Sequence, residues 1–331
     1  MVEIFNQPTI KDTNDKVLRM NSNQFISVII PVYNREFELK RCLNALKNQS
    51  YKYFEVVIID DCSDVPIKSF VDAMNDERFI YIRNDKNGGP SNARIQGWKA
   101  TKGTIIVNID SDWEPYPWLL ERIHHYFNEY PDVNAITGLL LRDIDSRLFI
   151  RVRDKFKKVS NFDLPNENVN LKSGDMIAGY KIEIIKNFLE KSHNYFASEY
   201  YLNIIFALNK FIVLYVDEPW CLYHLNSENR VSDTRKINLH RWVNDCRLFL
   251  DDFSADLLTN PNSDFLVNQF YSNAIFLLRN NKYKMAKEYL NTLKKIGLSP
   301  FKQMVKVASN NLLNKLIQKI KKSNNQDSSW I

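Results

Sequence analysis

The sequence has few glycines, prolines and cysteines, and each shortage excludes a class of protein. Its 331 residues include 8 glycines and 11 prolines, too few for a collagen-like or a low-complexity disordered chain. The four cysteines, Cys42, Cys62, Cys221 and Cys246, show no CxxC pairing, which argues against a zinc site and against a disulfide framework. We interpret them as reduced and mostly buried thiols of a cytosolic protein.

Long hydrophobic runs are also absent. No apolar stretch reaches the roughly 18 residues that cross a membrane, and residues 1–24 lack the apolar core of a signal peptide. The chain is nevertheless 44% hydrophobic and 25% charged, as expected of a globular protein with a substantial core. Its length allows about two domains.

The charge is unevenly distributed along the chain. The net charge is +6, yet residues 281–331 hold eleven lysines against two acidic residues, a local charge of +9 that leaves −3 for residues 1–280. A nucleic-acid-binding protein with basic residues throughout is therefore disfavoured. The asymmetry indicates a mildly acidic body and a basic tail with different roles.

Apolar runs long enough for buried strands alternate with segments of helical spacing. The runs lie at residues 26–32, 56–59, 79–82, 104–109 and 133–137. This alternation predicts an α/β fold with a mostly parallel sheet sandwiched by helices, in which ligands bind at the carboxyl ends of the strands. Residues 141–172 are polar and weakly periodic, which indicates a long loop or an irregular excursion over the site. Beyond residue 232 the pattern is helical, at 239–253, 265–278, 283–293 and 300–321.

Acidic side chains follow two of these strands. Asp110 and Asp112 leave the fourth strand at positions i and i+2, where they repel each other unless a cation or a donor lies between them. A divalent cation would resolve the repulsion and would also hold a diphosphate. The alternative is a solvated turn in which an aspartate caps the next helix. Asp60 and Asp61 follow the second strand and could accept a hydrogen bond from a nucleobase or cap a helix.

A glycine-rich helix start, Gly88–Pro90, lies between these acidic groups. Glycines allow a ligand to approach the backbone closely, and a helix N-terminus favours anions. Arg94, one turn into the helix, could pair with a phosphate. The spacing matches neither the dinucleotide-binding fingerprint nor the P-loop, which argues against both of those nucleotide sites.

Four segments together resemble the motifs of family 2 glycosyltransferases, enzymes with the GT-A fold. They are IPVYNR at 30–35, IIDDCSD at 58–64, NGGPSNARIQG at 87–97 and DSD at 110–112, and they occur in the family's order. The resemblance covers roughly residues 25–232. It implies a nucleotide-sugar donor and a divalent metal ion.

The resemblance also implies roles for single residues. Asp61 would contact the uracil of a UDP-sugar, Asp110 would meet the ribose or the metal, and Asp112 would ligate Mn²⁺ or Mg²⁺ at the diphosphate. The other donor-binding residues that it implies are Pro31, Tyr33, Asn34, Arg35, Asp60, Gly89, Asn92, Arg94 and Ser111.

The family's catalytic base lies in an acidic segment at the start of a later helix, and Glu199 matches it here. The alternative for Glu199 is an acid placed at a helix N-terminus because the helix dipole favours it there. His224 is a candidate metal ligand, although Asn226 occupies the family's histidine position; the alternative is a packed or surface histidine. A single base on the acceptor side predicts inversion at the anomeric carbon.

The predicted reaction is metal-dependent transfer of a sugar from a UDP-sugar to a hydroxyl of a glycan or lipid-linked glycan, in bacterial surface-polysaccharide biosynthesis. Trp113 and Tyr200 could stack on the acceptor or be ordinary core aromatics, and Asp175 could bond a sugar hydroxyl. One rival function is a non-catalytic nucleotide-sugar-binding or scaffold subunit. Another is a sugar-nucleotide nucleotidyltransferase, which the absence of a glycine-rich N-terminal loop disfavours.

The predicted organisation is an arm at 1–24, a catalytic domain at 25–232 and a helical region at 233–331. The catalytic domain would have a donor half at 25–138 and an acceptor half at 139–232. The helix predicted at 300–321 is amphipathic and basic. It could lie on an anionic membrane surface, or pack on the catalytic body or on another subunit of a homo-oligomer. The protein would be cytoplasmic, or peripheral on the inner face of the cell membrane.

Overall fold

The computed structural model describes residues 24–144, 147–149, 157–159, 176–191, 211–224, 248, 274–275, 277–278 and 282–295. The predicted N-terminal arm, up to residue 23, and the basic helix predicted at 300–321 lie outside the described residues. The strands are β1 Ile26–Val32, β2 Phe54–Asp60, β3 Phe79–Arg83, β4 Ile105–Asn108, β5 Trp113–Pro115, β6 Ala135–Ile144, β7 Arg147–Phe149, β8 Lys157–Val159, β9 Met176–Lys181 and β10 Val213–His224. The helices are α1 Glu36–Lys47, α2 Lys68–Ala73, α3 Pro90–Ala100, α4 Leu119–Glu129, α5 Ile182–Lys191 and α6 Tyr283–Lys295.

These strands form one mixed sheet whose main path is mostly parallel. Among the described residues the order is β3-β2-β1-β4-β9-β6-β10-β5, with β7 paired to β6 and β8 to β10. β1 runs parallel to β2 and β4, β2 to β3, and β6 to β10. β9 runs antiparallel between β4 and β6, and β5 pairs antiparallel with β10. The predicted mostly parallel α/β sheet is confirmed.

Burial on both faces explains the continuous apolar sequence of β1 and β2. Every residue of both strands is buried. Val28 and Ile30 belong to the same core as the apolar face of α1. On α3, a Cβ at Gly97 would overlap Cγ2 of Ile29, so glycine allows α3 to pack closely against β1. This packing brings the start of α3 near the carboxyl ends of β1 and β4, where the polar loops lie.

A buried polar network fixes the register of β4. The Ser27 hydroxyl and the Lys102 backbone N–H each donate to Oε1 of Glu55 at 2.7 Å. The Gly103 N–H donates to the Ser27 hydroxyl at 2.8 Å. The turn between α3 and β4 is thereby tied to β1 and β2, and the position at which β4 delivers its acidic loop is set.

One segment differs from the sequence-based expectation. Part of the segment predicted as a loop or irregular excursion is strand, since β6 extends to Ile144 and β7 and β8 follow. In addition, Val213–His224 form one long strand, β10. Its pairing with β6 shifts register between Tyr215, Pro219 and Cys221, and Pro219 lacks the N–H that a regular ladder needs.

Contacts divide the chain into two compact units. The first comprises Met1–Ser160, Gly174–Asn187 and Ile212–Asn229, and the second comprises the remaining residues. In the second unit α6 buries residues at helical spacing, Met285, Tyr289 and Leu293 among them, which confirms the helix predicted at 283–293. In the part of the chain that the structure describes, no helix is long and apolar enough to span a membrane. The boundaries of the predicted domains stay a prediction.

Candidate functional site

The loops after β1 and β2 are joined by Asn34. Its backbone N–H donates to the Ser63 hydroxyl at 3.0 Å, and its side-chain amide donates to Asp64 at 2.9 Å. The Asp64 N–H donates back to Asn34 Oδ1 at 2.8 Å. Asn34 adopts a φ of 52°, a left-handed conformation that asparagine tolerates better than most residues. Asn34, predicted to bind the donor, therefore sets the shape of the loops around the site.

Asp60 is fully buried at the end of β2. Its carboxylate accepts hydrogen bonds from the Ser63 N–H at 2.8 Å, the Tyr81 hydroxyl at 2.6 Å and Arg83 Nη1 at 2.7 Å. Burial raises the pKa of this carboxyl, but the hydrogen bonds from Ser63, Tyr81 and Arg83 outweigh burial and the pKa is lowered from its ordinary 3.8. These contacts make Asp60 the centre of the network that supports the loop after β2.

Asp61 points to the glycine-rich turn. Its carboxylate accepts hydrogen bonds from the Asn84 side-chain amide at 2.8 Å and from the backbone N–H groups of Gly88 and Gly89 at 3.0 and 2.6 Å. Asp61 itself is buried. The aspartate thus joins the loop after β2 to the start of α3, the two elements predicted to frame a nucleotide.

We predict that Gly89→Ala lowers the free energy of unfolding by about 1–3 kcal/mol. Gly89 lies at φ 85° and ψ 166°, a backbone conformation that is essentially restricted to glycine. An alanine would move the backbone and weaken the hydrogen bond from the Gly89 N–H to Asp61. Urea unfolding measures the effect, and a variant as stable as the wild type would contradict it.

Asp110 and Asp112, the acidic pair after β4, are each bonded to an arginine. Arg35 Nη1 donates to Asp112 Oδ2 at 2.7 Å, and Arg94 Nη2 donates to Asp110 Oδ1. The predicted repulsion between the two carboxylates is therefore offset by two cations, one from the loop after β1 and one from α3. Ser111 between them is buried.

A second polar group lies beside this pair, on β5 and β10. Because a carboxylate oxygen accepts, the His224 ring donates from Nε2 to Glu114 Oε2 at 2.8 Å. Arg41 on α1 approaches the same carboxylate at 3.7 Å and the Asp112 carbonyl oxygen at 3.5 Å. The antiparallel pairing of Leu222 with Glu114 places these residues together. Arg41 and Glu114 were not predicted, because no sequence motif marks them. The short spacing of Glu114 from Asp112 is a local signal for Glu114, and Arg41 has no such signal.

A buried thiol lies beneath the acidic turn. Cys42 Sγ donates to the Asp110 carbonyl oxygen at 3.9 Å. Burial and the nearby charge of Asp112 raise the pKa of Cys42 far above its ordinary value, so it stays a neutral donor. Cys221 is also buried and Cys62 is partly buried, and these three described cysteines form no disulfide.

The other predicted site residues fall into two groups. Pro31 lies in β1, Tyr33 is 42% exposed, Asn92 packs beside Gly88 at the start of α3, and Trp113 contacts Tyr223 edge to face at 6.5 Å. Glu199, Tyr200 and Asp175 lie outside the described residues. The structure thus pairs Arg35 with Asp112, Arg94 with Asp110 and Gly89 with Asp61. The donor, acceptor and catalytic roles of all the predicted site residues stay predictions.

The acidic pair suits a hard divalent cation that binds together with a phosphate group. Asp110 and Asp112 supply carboxylate oxygens, the ligands that Mg²⁺ and Mn²⁺ prefer. Within the described residues there is no group of three His, Cys, Asp or Glu side chains that could hold an ion alone. Oxygens of water and of a bound diphosphate would complete the coordination, so the residues fit a cation that binds with such a ligand.

Comparison with known proteins identifies the domain that carries this geometry. The sequence matches the family described as Glycosyl transferase family 2 over residues 27–188. These residues belong to that family. The family 2 match spans β1 to α5 and includes the loops of Asn34, Asp61, Gly89 and Asp112.

Curated relatives match this chain over about 100 residues. One is named as a colanic acid biosynthesis glycosyl transferase, WcaA of Escherichia coli (strain K12), 36% identical over 29% of this chain and 36% of that protein. Another is the GalNAc(5)-diNAcBac-PP-undecaprenol beta-1,3-glucosyltransferase of Campylobacter jejuni, 29% identical over 31% of this chain and 35% of that protein. The chain thus spans about a third of the length of these curated relatives.

Solved structures extend the likeness beyond the family 2 domain. Staphylococcus aureus TarS 1-349 in complex with UDP-GlcNAc has a TM-score of 0.61 at 18% identity, covering 89% of this chain and 81% of that one. The same fragment in complex with UDP has a TM-score of 0.66 at 17% identity, covering 90% and 87%. At this identity the likeness shows the fold, and the predicted GT-A type fold is confirmed.

Proposed function

We propose that this protein is a glycosyltransferase that moves a sugar from a UDP-sugar to a hydroxyl of a glycan or lipid-linked glycan. The observation that carries the proposal is the convergence of Asp61, the Gly88–Gly89 turn and the Asp110–Asp112 pair at the carboxyl ends of β2 and β4. Ligands of open α/β sheets bind at this edge. Family membership of residues 27–188 and the complexes of TarS with UDP-GlcNAc and UDP support a nucleotide-sugar donor.

The described residues suggest how the donor is held. Tyr33 offers an exposed ring beside the loop that Asn34 fixes, where a base could stack. Asp61 holds the glycine turn in place and would reach the uracil from there. Arg94 and Arg35 bring guanidinium groups to the acidic pair, and guanidinium groups bind phosphate oxygens well.

Asp110 and Asp112 would hold the Mn²⁺ or Mg²⁺ ion. When bound, such an ion neutralises the negative charge that develops on the leaving diphosphate. The same two carboxylates orient Arg35 and Arg94 through their ion pairs. The hydrogen bond from Nε2 to Glu114 would orient His224 as a further ligand of the ion.

The proposed catalytic base and acceptor-binding residues follow from the sequence resemblance to family 2 glycosyltransferases. Glu199 would take the proton of the attacking hydroxyl, and one displacement would invert the anomeric carbon. Trp113, Tyr200 and Asp175 would contact the acceptor. The names of the relatives in colanic acid biosynthesis and in undecaprenol-linked glycan assembly support a surface-polysaccharide acceptor.

Location and assembly are further parts of the proposal. The protein would act in the cytoplasm, and the eleven lysines of residues 281–331 could hold it on the inner face of an anionic membrane, near a lipid-linked acceptor. The same segment could instead join subunits of a homo-oligomer. Co-sedimentation with anionic liposomes tests the membrane arrangement, and binding that stays unchanged without residues 300–331 would contradict it.

A thermal-shift screen tests the donor, since a ligand that binds the folded state raises the melting temperature. The panel is UDP, several UDP-sugars and matched ADP- and GDP-sugars, each with and without Mn²⁺. We expect UDP compounds to stabilise the protein most, and hydrolysis or transfer to follow with one of the sugars. Stabilisation without turnover of any sugar would favour the non-catalytic binding subunit, and no response to any nucleotide would refute the proposal.

A further inference from the structure

Arginine and carboxylate charges balance at the carboxyl end of β4. The described residues form three pairs there: Arg35 with Asp112, Arg94 with Asp110, and Arg41 with Glu114. A divalent cation added alone would leave this cluster with excess positive charge, and a doubly anionic diphosphate alone would leave it with excess negative charge. Added together, they preserve the balance. The cluster therefore favours joint binding of the two over binding of either one.

Arg35 and Asp112 form the most deeply buried of these pairs. Their side chains are 12% and 5% exposed, whereas the Asp110 and Glu114 carboxylates are 37% and 40% exposed. Separating a buried pair is costly because each charge is left without its partner in a poorly solvated place. A cation that takes the place of Arg35 on Oδ2 of Asp112 leaves Arg35 in need of another anion.

A diphosphate bound near Arg35 would be such an anion. Arg35 lies directly before α1, in the loop after β1 that Asn34 joins to the loop of Asp61. A diphosphate bound at this edge of the sheet would lie within the same group of loops. The planar guanidinium fork can exchange a carboxylate for a phosphate with little change in its hydrogen-bond geometry.

We propose that Arg35 is an internal counter-cation of Asp112, which a metal ion displaces readily only when a diphosphate accepts Arg35. The inference rests on the proposed function, because it takes the donor to be a nucleotide diphosphate. Its consequence is thermodynamic coupling: the nucleotide raises the affinity for the metal, and the metal raises the affinity for the nucleotide by the same factor.

Mn²⁺ binding to the full chain tests the inference, measured by the electron paramagnetic resonance signal of free Mn²⁺ with and without UDP. In Arg35→Gln no guanidinium competes for Asp112. We expect this variant to bind Mn²⁺ alone at least about fivefold more tightly than the wild type, and UDP to raise its Mn²⁺ affinity by a correspondingly smaller factor. If Arg35 only maintained the structure, Arg35→Gln would instead weaken the binding of both Mn²⁺ and UDP.

Arg78→Gln is the matched control. Arg78 pairs with Asp76 at 2.6 Å near the opposite end of β2, so its loss changes the net charge equally without touching the cluster. It should leave Mn²⁺ affinity unchanged. Arg35→Met, which also removes the charge, serves if Arg35→Gln does not fold. Unchanged or weaker Mn²⁺ binding in the folded Arg35 variant overturns the inference. Failure of the wild type to bind UDP refutes the proposed function, while the comparison with Mn²⁺ alone still tests Arg35.

Discussion

Replacing Asp112 with asparagine is expected to lower kcat/KM for sugar transfer by about a thousandfold. The carboxylate is buried and bonded to Arg35 at 2.7 Å. Asparagine would remove a charged oxygen ligand from the cation and leave Arg35 without a full counter-charge. Initial rates with Mn²⁺ and the UDP-sugar found by thermal shift measure the effect, and circular dichroism verifies that the variant is folded.

Asp76→Asn is the control for this substitution. Asp76 also pairs with an arginine, Arg78, but lies in the loop before β3, away from the acidic turn. We expect its activity to stay within about twofold of the wild type, as for most changes remote from a site. Wild-type activity in Asp112→Asn would show that this carboxylate is not needed for the reaction. It would also contradict the assignment of the metal to the turn after β4.

The strands of the parallel part could be predicted closely because their sequences carry a strong signal. β1 is a strand over the predicted residues 26–32, and β3 ends one residue after the prediction, since both are continuous apolar runs. β5 and α2 were missed. β5 has three residues, and its strand conformation depends on pairing with β10, which lies about 100 residues later in the sequence. Short elements of this kind have no period of their own.

The functional site, like the fold, was predicted only in part, because sequence motifs carry local information and not the contacts made in the folded chain. The motifs predict which loops meet, because the carboxyl ends of parallel strands share one edge of the sheet. They do not predict the partners of the acidic pair, since Arg35 and Asp112 are 77 residues apart and their contact depends on the finished fold. The sequence around the adjacent residues Asp60 and Asp61 also carries no signal that their surroundings differ. Asp60 faces Tyr81 and Arg83, whereas Asp61 faces the glycine turn, because successive side chains at a strand end point to opposite sides.

The different surroundings of Asp60 and Asp61 lead to the second large effect. Asp60→Asn is expected to lower the free energy of unfolding by about 2–3 kcal/mol near pH 7. Asparagine keeps one acceptor, so the Ser63 N–H, the Tyr81 hydroxyl and Arg83 cannot all be satisfied. Urea unfolding measures the loss. If Asp60 bound the nucleotide directly, the variant would instead lose affinity for UDP with little change in stability.

The effect of Asp60 should also depend on pH in a defined direction. Its pKa is lowered from 3.8 in the folded protein, so its carboxylate stabilises the fold above the ordinary pKa and that stabilisation is lost as the pH falls through the folded pKa. The difference in unfolding free energy between the wild type and Asp60→Asn should therefore shrink between about pH 7 and about pH 3. Asp72→Asn, which removes an exposed partner of Lys68, should change stability by less than about 0.5 kcal/mol at either pH. A difference for Asp60→Asn that is independent of pH would show that the charge of this carboxylate contributes nothing, and that the neutral hydrogen bonds alone hold the loop after β2.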